Sequence, residues 1–325
     1  MKILITGAGS VMGQSIYKAL TLINFPEATE VHFANSDDRA AGRHFNHPNL
    51  PVTATPIFPL ARDENYVDFV EQYVRDHNID IVYPGTQHEL ERITQFHKRM
   101  QITATIPTDI AMICLDKFQT PQMLKDNGIR YPETLSVTEY LSTAQNDRPV
   151  IIKPITSSAS RNIFRGNSQQ DIKDILDQNN LKAEDFILQD RLIGPEYTCG
   201  CYIDRFSNDI NTICFERTLT PDGATGYGKI INDADIRDYV VSVGRALQKS
   251  GMKFGHINVQ LIKDDKGPCL FEINGRLSST EAPKAHFGFN SCAAYFSNIV
   301  LQQPYAFDAI APTGEFMRFY EEIYF

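Results

Sequence analysis

Short apolar runs alternate with stretches of helical spacing through the first hundred residues, and this alternation restricts the fold more than any other feature. "KILIT" (2–6) reads as a buried strand, followed by glycine turns and the helix "MGQSIYKALTLI". "EVHFANSDD" reads as a second strand. "YVDFVEQYVRDHNI" follows as a helix with Val67, Val70 and Val74 on one side, then the strand "DIVYPGT" and the helix "HELERITQFHKRM". Strands taking turns with helices predict an α/β unit with a parallel sheet and right-handed crossovers. This first domain is expected to end near residue 115. The proline-rich "HPNLPVTATPIFPL" (47–60) is expected to be an irregular loop within it.

The pattern then changes. "ICLDKFQT" reads as a strand-like run ahead of Lys117, and "TPQMLKDNGIRYPETLSV" as a helix stopped at Gly128 before an extended piece. "RPVIIKPI" and "DFILQDRLIG" are predicted strands with the helix "DIKDILDQN" between them. Residues 197–219 predict a hairpin turning on "RFSNDI". The long helix "DADIRDYVVSVGRALQKSG" follows, and then a strand pair, "HINVQLIKDDKGPCLFEING", turning on "DDKG".

Charge balance narrows the function classes. With 31 basic against 40 acidic residues the net charge is −9, which argues against a nucleic-acid binder. No apolar stretch approaches the ~18 residues of a membrane span, and the start lacks a signal-peptide core, so the expected setting is cytoplasmic. The six cysteines are scattered with no CxxC pair, which suits reduced core thiols rather than a zinc or redox site.

At the N-terminus "GAGSVMG" sets Gly7, Gly9 and Gly13 at a strand-to-helix turn, with Asp37 and Asp38 closing the second strand. A dinucleotide fingerprint has G-x-G-x-x-G, whereas here one residue more precedes the third glycine. Such a loop can cradle phosphate or simply pack helix against strand. The packing reading is preferred.

The second half carries more chemistry. Lys153 sits inside the apolar "VIIKPI", and "TSSASRN" behind it offers small residues, hydroxyls and Arg161, a combination suited to polyphosphate. In "ILQDRLIGPEYT" the backbone of Asp190 and Leu192 could meet an adenine edge, with Glu196 within range of ribose hydroxyls; a strand exit with a solvated acid explains the segment as well. In "CLFEINGRLSST" an apolar strand carries Glu272 and Asn274 two residues apart, hence on one face. The hairpin can bring Gln260 onto the same face. Three hard oxygen donors suit Mg2+ shared with phosphates, and Arg276 falls on the same side. A satisfied polar cluster explains one such residue easily and four poorly.

At these residues the chain resembles the ATP-grasp superfamily, and among its members the carbamoyl-phosphate synthase large chain. The resemblance runs through "ILITGAGSVMGQSI", "LDK", "VIIKPI", "LIGPEYT" and "NVQL…FEINGR", and so covers nearly the whole chain. It implies a Rossmann-like pre-ATP-grasp domain over 1–115 and an ATP-grasp fold (α+β) over 116–325. A nucleotide-covering part of the latter would span about 116–190 and a metal-bearing part about 191–325. It implies ATP contacts at Lys117, Lys153, Ser157, Ser158, Gln189, Asp190, Leu192 and Glu196. Magnesium, or manganese in its place, would sit at Gln260, Glu272 and Asn274, with Arg276 and Lys153 as the catalytic cations. Arg217, Lys229 and Glu89 are substrate candidates. One departure is the serine-rich loop 156–160, where the family usually has glycines. The implied activity is a carboxylate–amine ligase acting through an acyl phosphate on small-molecule carboxylate and amine substrates, with a homodimer allowed for. A carbamoyl-phosphate-type kinase and a non-catalytic ATP-binding regulator are the alternatives.

Overall fold

Strand β1 (Lys2–Ile5) pairs in parallel with β2 (Glu30–Phe33) on one side and β4 (Ile81–Tyr83) on the other, and β3 (Val52–Ala54) extends the edge beyond β2. The resulting order is β3-β2-β1-β4. Side chains of β1 alternate between faces, so Ile3 and Ile5 join one buried cluster with Ile16 and Tyr17 of α1 (Val11–Leu20). Leu4 joins another with Tyr66, Val67 and Val70 of α2 (Tyr66–His77). A sheet covered on both faces requires apolar residues at every position, which is why "KILI" reads as an unbroken run. The computed structural model describes residues 1–324 except 90, 91, 93–95, 97, 98, 144–146, 156–161, 222, 308 and 309. Most of the helix expected over "HELERITQFHKRM" therefore lies outside the described residues.

Two expectations change here. The proline-rich stretch contains β3, because Val52 and Ala54 find register with Val31 and His32. The run before Lys117 is helical, not extended: α3 (Thr108–Leu115) follows Pro107 and buries Ile110, Ala111 and Cys114 along one stripe. Residue preferences are overridden where a 3.6-residue period fits the neighbouring core.

After α4 (Gln119–Asp126) comes a four-stranded antiparallel sheet of order β5-β8-β6-β7. Its strands are β5 (Thr134–Ser136), β6 (Val150–Pro154), β7 (Phe164–Gly166) and β8 (Phe186–Asp190). Helices α5 (Val137–Ser142) and α6 (Gln169–Gln178) cover one face, packing against Val150, Ile152 and Leu188.

The third sheet has six antiparallel strands in the order β13-β12-β9-β10-β11-β14. They are β9 (Glu196–Ile203), β10 (Ile210–Leu219), β11 (Thr225–Ile230), β12 (Gly255–Asp264), β13 (Gly267–Asn274) and β14 (Glu315–Met317). Helix α7 (Ala234–Lys249) starts at Asp233, whose side chain accepts from the N–H groups of Asp235 and Ile236. It lays Ile236, Val240, Val243 and Leu247 against Ile257, Val259 and Leu261 of β12. Each such side chain contributes about 1.5–3 kcal/mol of hydrophobic burial. With odd positions of β12 spent on α7, the even ones (His256, Asn258 and Gln260) occupy the opposite face. Helices α8 (Glu281–His286) and α9 (Ser291–Phe296) pack on that side, where Ser15 Oγ accepts from Ala282 N and Asn290 Nδ2 donates to Ala19 O.

Candidate functional site

A cavity of about 650 Å3 opens between the second sheet and the third. One wall comes from alternate residues of β6 and β8, which present Ile151, Lys153 and Gln189 while their neighbours are spent on α5 and α6. Lys153 Nζ donates to Gln189 Oε1 at 2.8 Å and to the carbonyl of Phe271 on β13 at 3.2 Å, so it ties the two sheets together. Burial lowers its pKa to about 8, against an upward pull from Glu272 and a further downward push from Lys117. Lys117, just past α3, donates to Ile155 O at 2.8 Å, and burial lowers its pKa as well.

The floor comes from the third sheet. Gln260 faces Glu272 in the β12–β13 ladder, and Asn258 faces Asn274. Glu272 is exposed to the cavity rather than buried in the strand, so the apolar run carries a carboxylate because that face opens onto a ligand space. Arg276 Nη2 donates to Asn274 Oδ1 at 3.3 Å and its Nη1 to Leu277 O at 3.0 Å. Burial holds the Arg276 pKa below its ordinary value, and Glu272 and Glu281 oppose the shift.

Arg217 of β10 sits between two of the predicted ligands. Its Nη2 reaches Glu196 Oε1 at 2.5 Å and Gln260 Oε1 at 3.0 Å. Leu192 and Asp190 line the cavity where β8 ends, and the Asp190 carboxylate pairs with Arg148 at 2.9 Å. Ile151, Ile262 and Leu270 add apolar surface of the kind a flat base needs.

The oxygen donors Gln260, Glu272 and Asn274 thus share one floor. Among the described residues no cluster of three or more His, Cys, Asp or Glu is available to hold a metal. One carboxylate with two carboxamides matches Mg2+, which keeps several waters and shares its shell with phosphates. These residues fit such a cation only in the presence of a polyphosphate.

Eleven residues singled out from sequence therefore line one cavity: Lys117, Lys153, Gln189, Asp190, Leu192, Glu196, Arg217, Gln260, Glu272, Asn274 and Arg276. Ser157 and Ser158 lie outside the described residues, as do Arg161 and the rest of loop 156–160. Two others stand elsewhere. Lys229 is an exposed residue of β11 paired with Glu315 at 3.6 Å. Glu89 is buried in the first unit, where Thr6, Tyr66, Gly85 and Thr86 donate to its carboxylate. The glycine loop is filled by the protein itself: Gly7 has φ +54°, and a Cβ there would fall 2.0 Å from Thr86 Cγ2. Sequence reading missed Thr198, Asn258, Ser278, Ser279 and Thr280, all of which line the cavity. The period of two through "HINVQ" could have flagged Asn258 beside Gln260.

Comparison with known proteins agrees with this geometry. Residues 114–280 match the family model described as the ATP-grasp domain. The chain is 26% identical over 152 residues to a D-alanine–D-alanine ligase of Bacteroides fragilis, a match covering 44% of this chain and 47% of that one. The match thus spans less than half the length of that relative. The L-amino acid ligase of Bacillus licheniformis superposes with TM-score 0.72 at 16% identity, covering 97% of this chain and 78% of its own. The biotin carboxylase domain of Hydrogenobacter thermophilus 2-oxoglutarate carboxylase, solved with MgADP and bicarbonate, gives TM-score 0.71 at 13% identity, over 97% and 73% of the two chains. At such identities the superpositions speak for the fold. Since the family model matches more than half of the 325 residues, the chain belongs to the ATP-grasp family.

Proposed function

We propose that this chain is an ATP-dependent ligase joining a carboxylate to an amine through an acyl phosphate. The observation carrying this reading is the convergence of three cationic side chains, Lys117, Lys153 and Arg276, with the oxygen donors Gln260, Glu272 and Asn274 on the walls of one cavity. Cations match a polyphosphate, and oxygen-only donors match the hard cation that accompanies it.

In this reading Lys117 and Lys153 hold the phosphates, and Glu196 the ribose. Magnesium bound at Gln260, Glu272 and Asn274 would neutralise phosphate charge. A substrate carboxylate oxygen attacks the terminal phosphorus, the bond to ADP breaks, and Arg276 meets the charge on the transferred group. An amine nitrogen then attacks the acyl carbon, phosphate leaves with the bonding pair, and the amine gives up a proton. Orientation and electrostatics suffice, since phosphoryl transfer asks little covalent chemistry of the protein.

Two relatives are named as ligases of amino acids, so amino acids are the first acids and amines to try. The test is ADP release with Mg2+ and ATP across pairs of amino acids and small carboxylates. Stimulation that needs both partners, with an amide product by mass spectrometry, is expected. ADP release with no amide from any pair would overturn the ligase reading.

A further inference from the structure

Beneath the cavity floor lies a charged cluster that the steps above leave unused. Lys284 of α8 is fully buried. Its ammonium donates to Asn258 Oδ1 at 2.9 Å, Ser278 Oγ at 3.0 Å and Glu281 Oε1 at 3.1 Å. An ammonium has three protons, and these acceptors take all three. Glu281 is the counter-charge and also accepts from Ser278 N and Oγ. His256 Nε2 lies 3.4 Å from the same carboxylate oxygen, and its Nδ1 is 2.8 Å from Ser291 Oγ. Burial lowers the His256 pKa to about 3, so this imidazole is neutral and the ion pair is Lys284 with Glu281.

The sheet is shaped to admit this lysine. Gly200 of β9 stands opposite Asn258 in the ladder. A Cβ on Gly200 would fall 3.1 Å from Lys284 Cε, 3.2 Å from its Cδ and 2.9 Å from Phe289 Cε1. A buried ion pair is a poor way to gain stability, since apolar side chains of similar volume serve as well or better. The charge must therefore be explained by what it holds. Apart from Glu281, its close acceptors are Asn258 and Ser278, and both line the cavity.

The consequence for Asn258 is specific. Its Oδ1 takes hydrogen bonds from Lys284 and, at 3.2 Å, from Thr198 Oγ1. An ammonium cannot accept, so the carboxamide is fixed with its oxygen toward Lys284, and its NH2 is the end left to donate. Asn258 stands beside Gln260 on β12 and across from Asn274 on β13, among the residues assigned to metal and phosphate. Ser278 lies in the segment that begins with Arg276, and Ser278 Oγ is 2.8 Å from Thr280 Oγ1.

We infer that Lys284 is a positioning residue for the terminal phosphoryl group: from behind the floor it aims the Asn258 amide donors and fixes segment 276–280 around that group. This rests on the nucleotide reading of the cavity and adds to it the device that distinguishes a triphosphate from a diphosphate.

The test is calorimetric titration of the full chain with Mg2+ and either ADP or β,γ-imido-ATP, neither of which needs turnover. Because Lys284→Met alone would strand a buried carboxylate, the variant to make is the charge-balanced Lys284→Met/Glu281→Gln. It should hold ADP as the wild type does and lose about tenfold or more in affinity for the imido analogue, the scale of hydrogen bonds to a charged group. In the paired variant a further Asn258→Ala should cost clearly less than Asn258→Ala costs in the wild type, since the lysine acts through that side chain; equal costs would mean that the two act independently. If the paired variant shows no cooperative melt, Ser278→Ala decides by the same two affinities with the buried charges left in place. Equal weakening of both nucleotides, or of neither, would make Lys284 a purely structural anchor. A wild type that binds neither nucleotide sinks the nucleotide reading and this inference together, whereas a preference for the triphosphate that survives in the variants sinks this inference alone.

Discussion

Arg217 donates to Gln260 Oε1 at 3.0 Å, across the width of β9, while its side chain is almost fully withdrawn from solvent. The guanidinium therefore occupies an oxygen assigned to the metal. A cation arriving without nucleotide must displace or oppose that charge. Arg217→Met should strengthen Mn2+ binding to the nucleotide-free protein by about threefold or more, as expected of removing one nearby charge at moderate effective dielectric. Paramagnetic titration of Mn2+ measures this. An unchanged affinity would detach Gln260 from the metal site.

Lys153 gives the site a pH dependence. Its pKa of about 8 means that in the free protein it is charged below pH 8 and loses its charge above it. Phosphate binding needs the charged form, so ATP affinity should be flat below pH 8 and fall above it, by at most about tenfold per unit. Lys153→Gln should bind weakly at every pH and remove the break. Wild-type affinity that stays level to pH 9.5 would place the phosphates elsewhere.

Arg276→Lys keeps a positive charge but loses the planar fork. It should bind ATP nearly as the wild type does while turnover drops about a hundredfold or more, as for loss of a transition-state donor. With an active carboxylate and no amine, hydroxylamine should trap an acyl phosphate as the hydroxamate, and the variant should yield far less. Equal trapping would leave Arg276 a structural residue.

Glu89 should behave as a core residue. Five donor groups converge on its carboxylate, so Glu89→Ala leaves several of them unmet and should cost about 2 kcal/mol or more in denaturant unfolding. Nucleotide affinity of the folded fraction should be unchanged. A selective loss of activity with stability intact would return Glu89 to the substrate site.

At Gly200 an added methyl meets Phe289 and the Lys284 stem, and crowding of this kind in a packed core costs about 1–3 kcal/mol. Gly200→Ala should lower the melting temperature measurably. No shift at all would mean that α8 can move away from the sheet.

Sequence alone determined the features that rest on short-range period. Alternation of apolar runs and helical stripes identified the parallel first sheet, and the turn "DDKG" between two apolar strands identified the β12–β13 hairpin. Because side chains in a strand repeat every two residues, Glu272 and Asn274 were legible as one face before any contact was known. The run before Lys117 was misread because strand and helix signals coincide over the six apolar residues 110–115, and only packing of Ile110 and Cys114 into the core selects the helix.

Tertiary structure decided where charges end up. Lys153 and Phe271 are 118 positions apart, and only the approach of β6 to β13 makes one donate to the other. Sequence reading makes Glu89 a substrate candidate and singles out no role for Lys284. One is a satisfied core carboxylate and the other a buried cation behind the cavity floor. Nothing local separates these outcomes, because whether a charge can be buried depends on partners brought in from distant strands, and those partners are fixed only when the sheets close on one another.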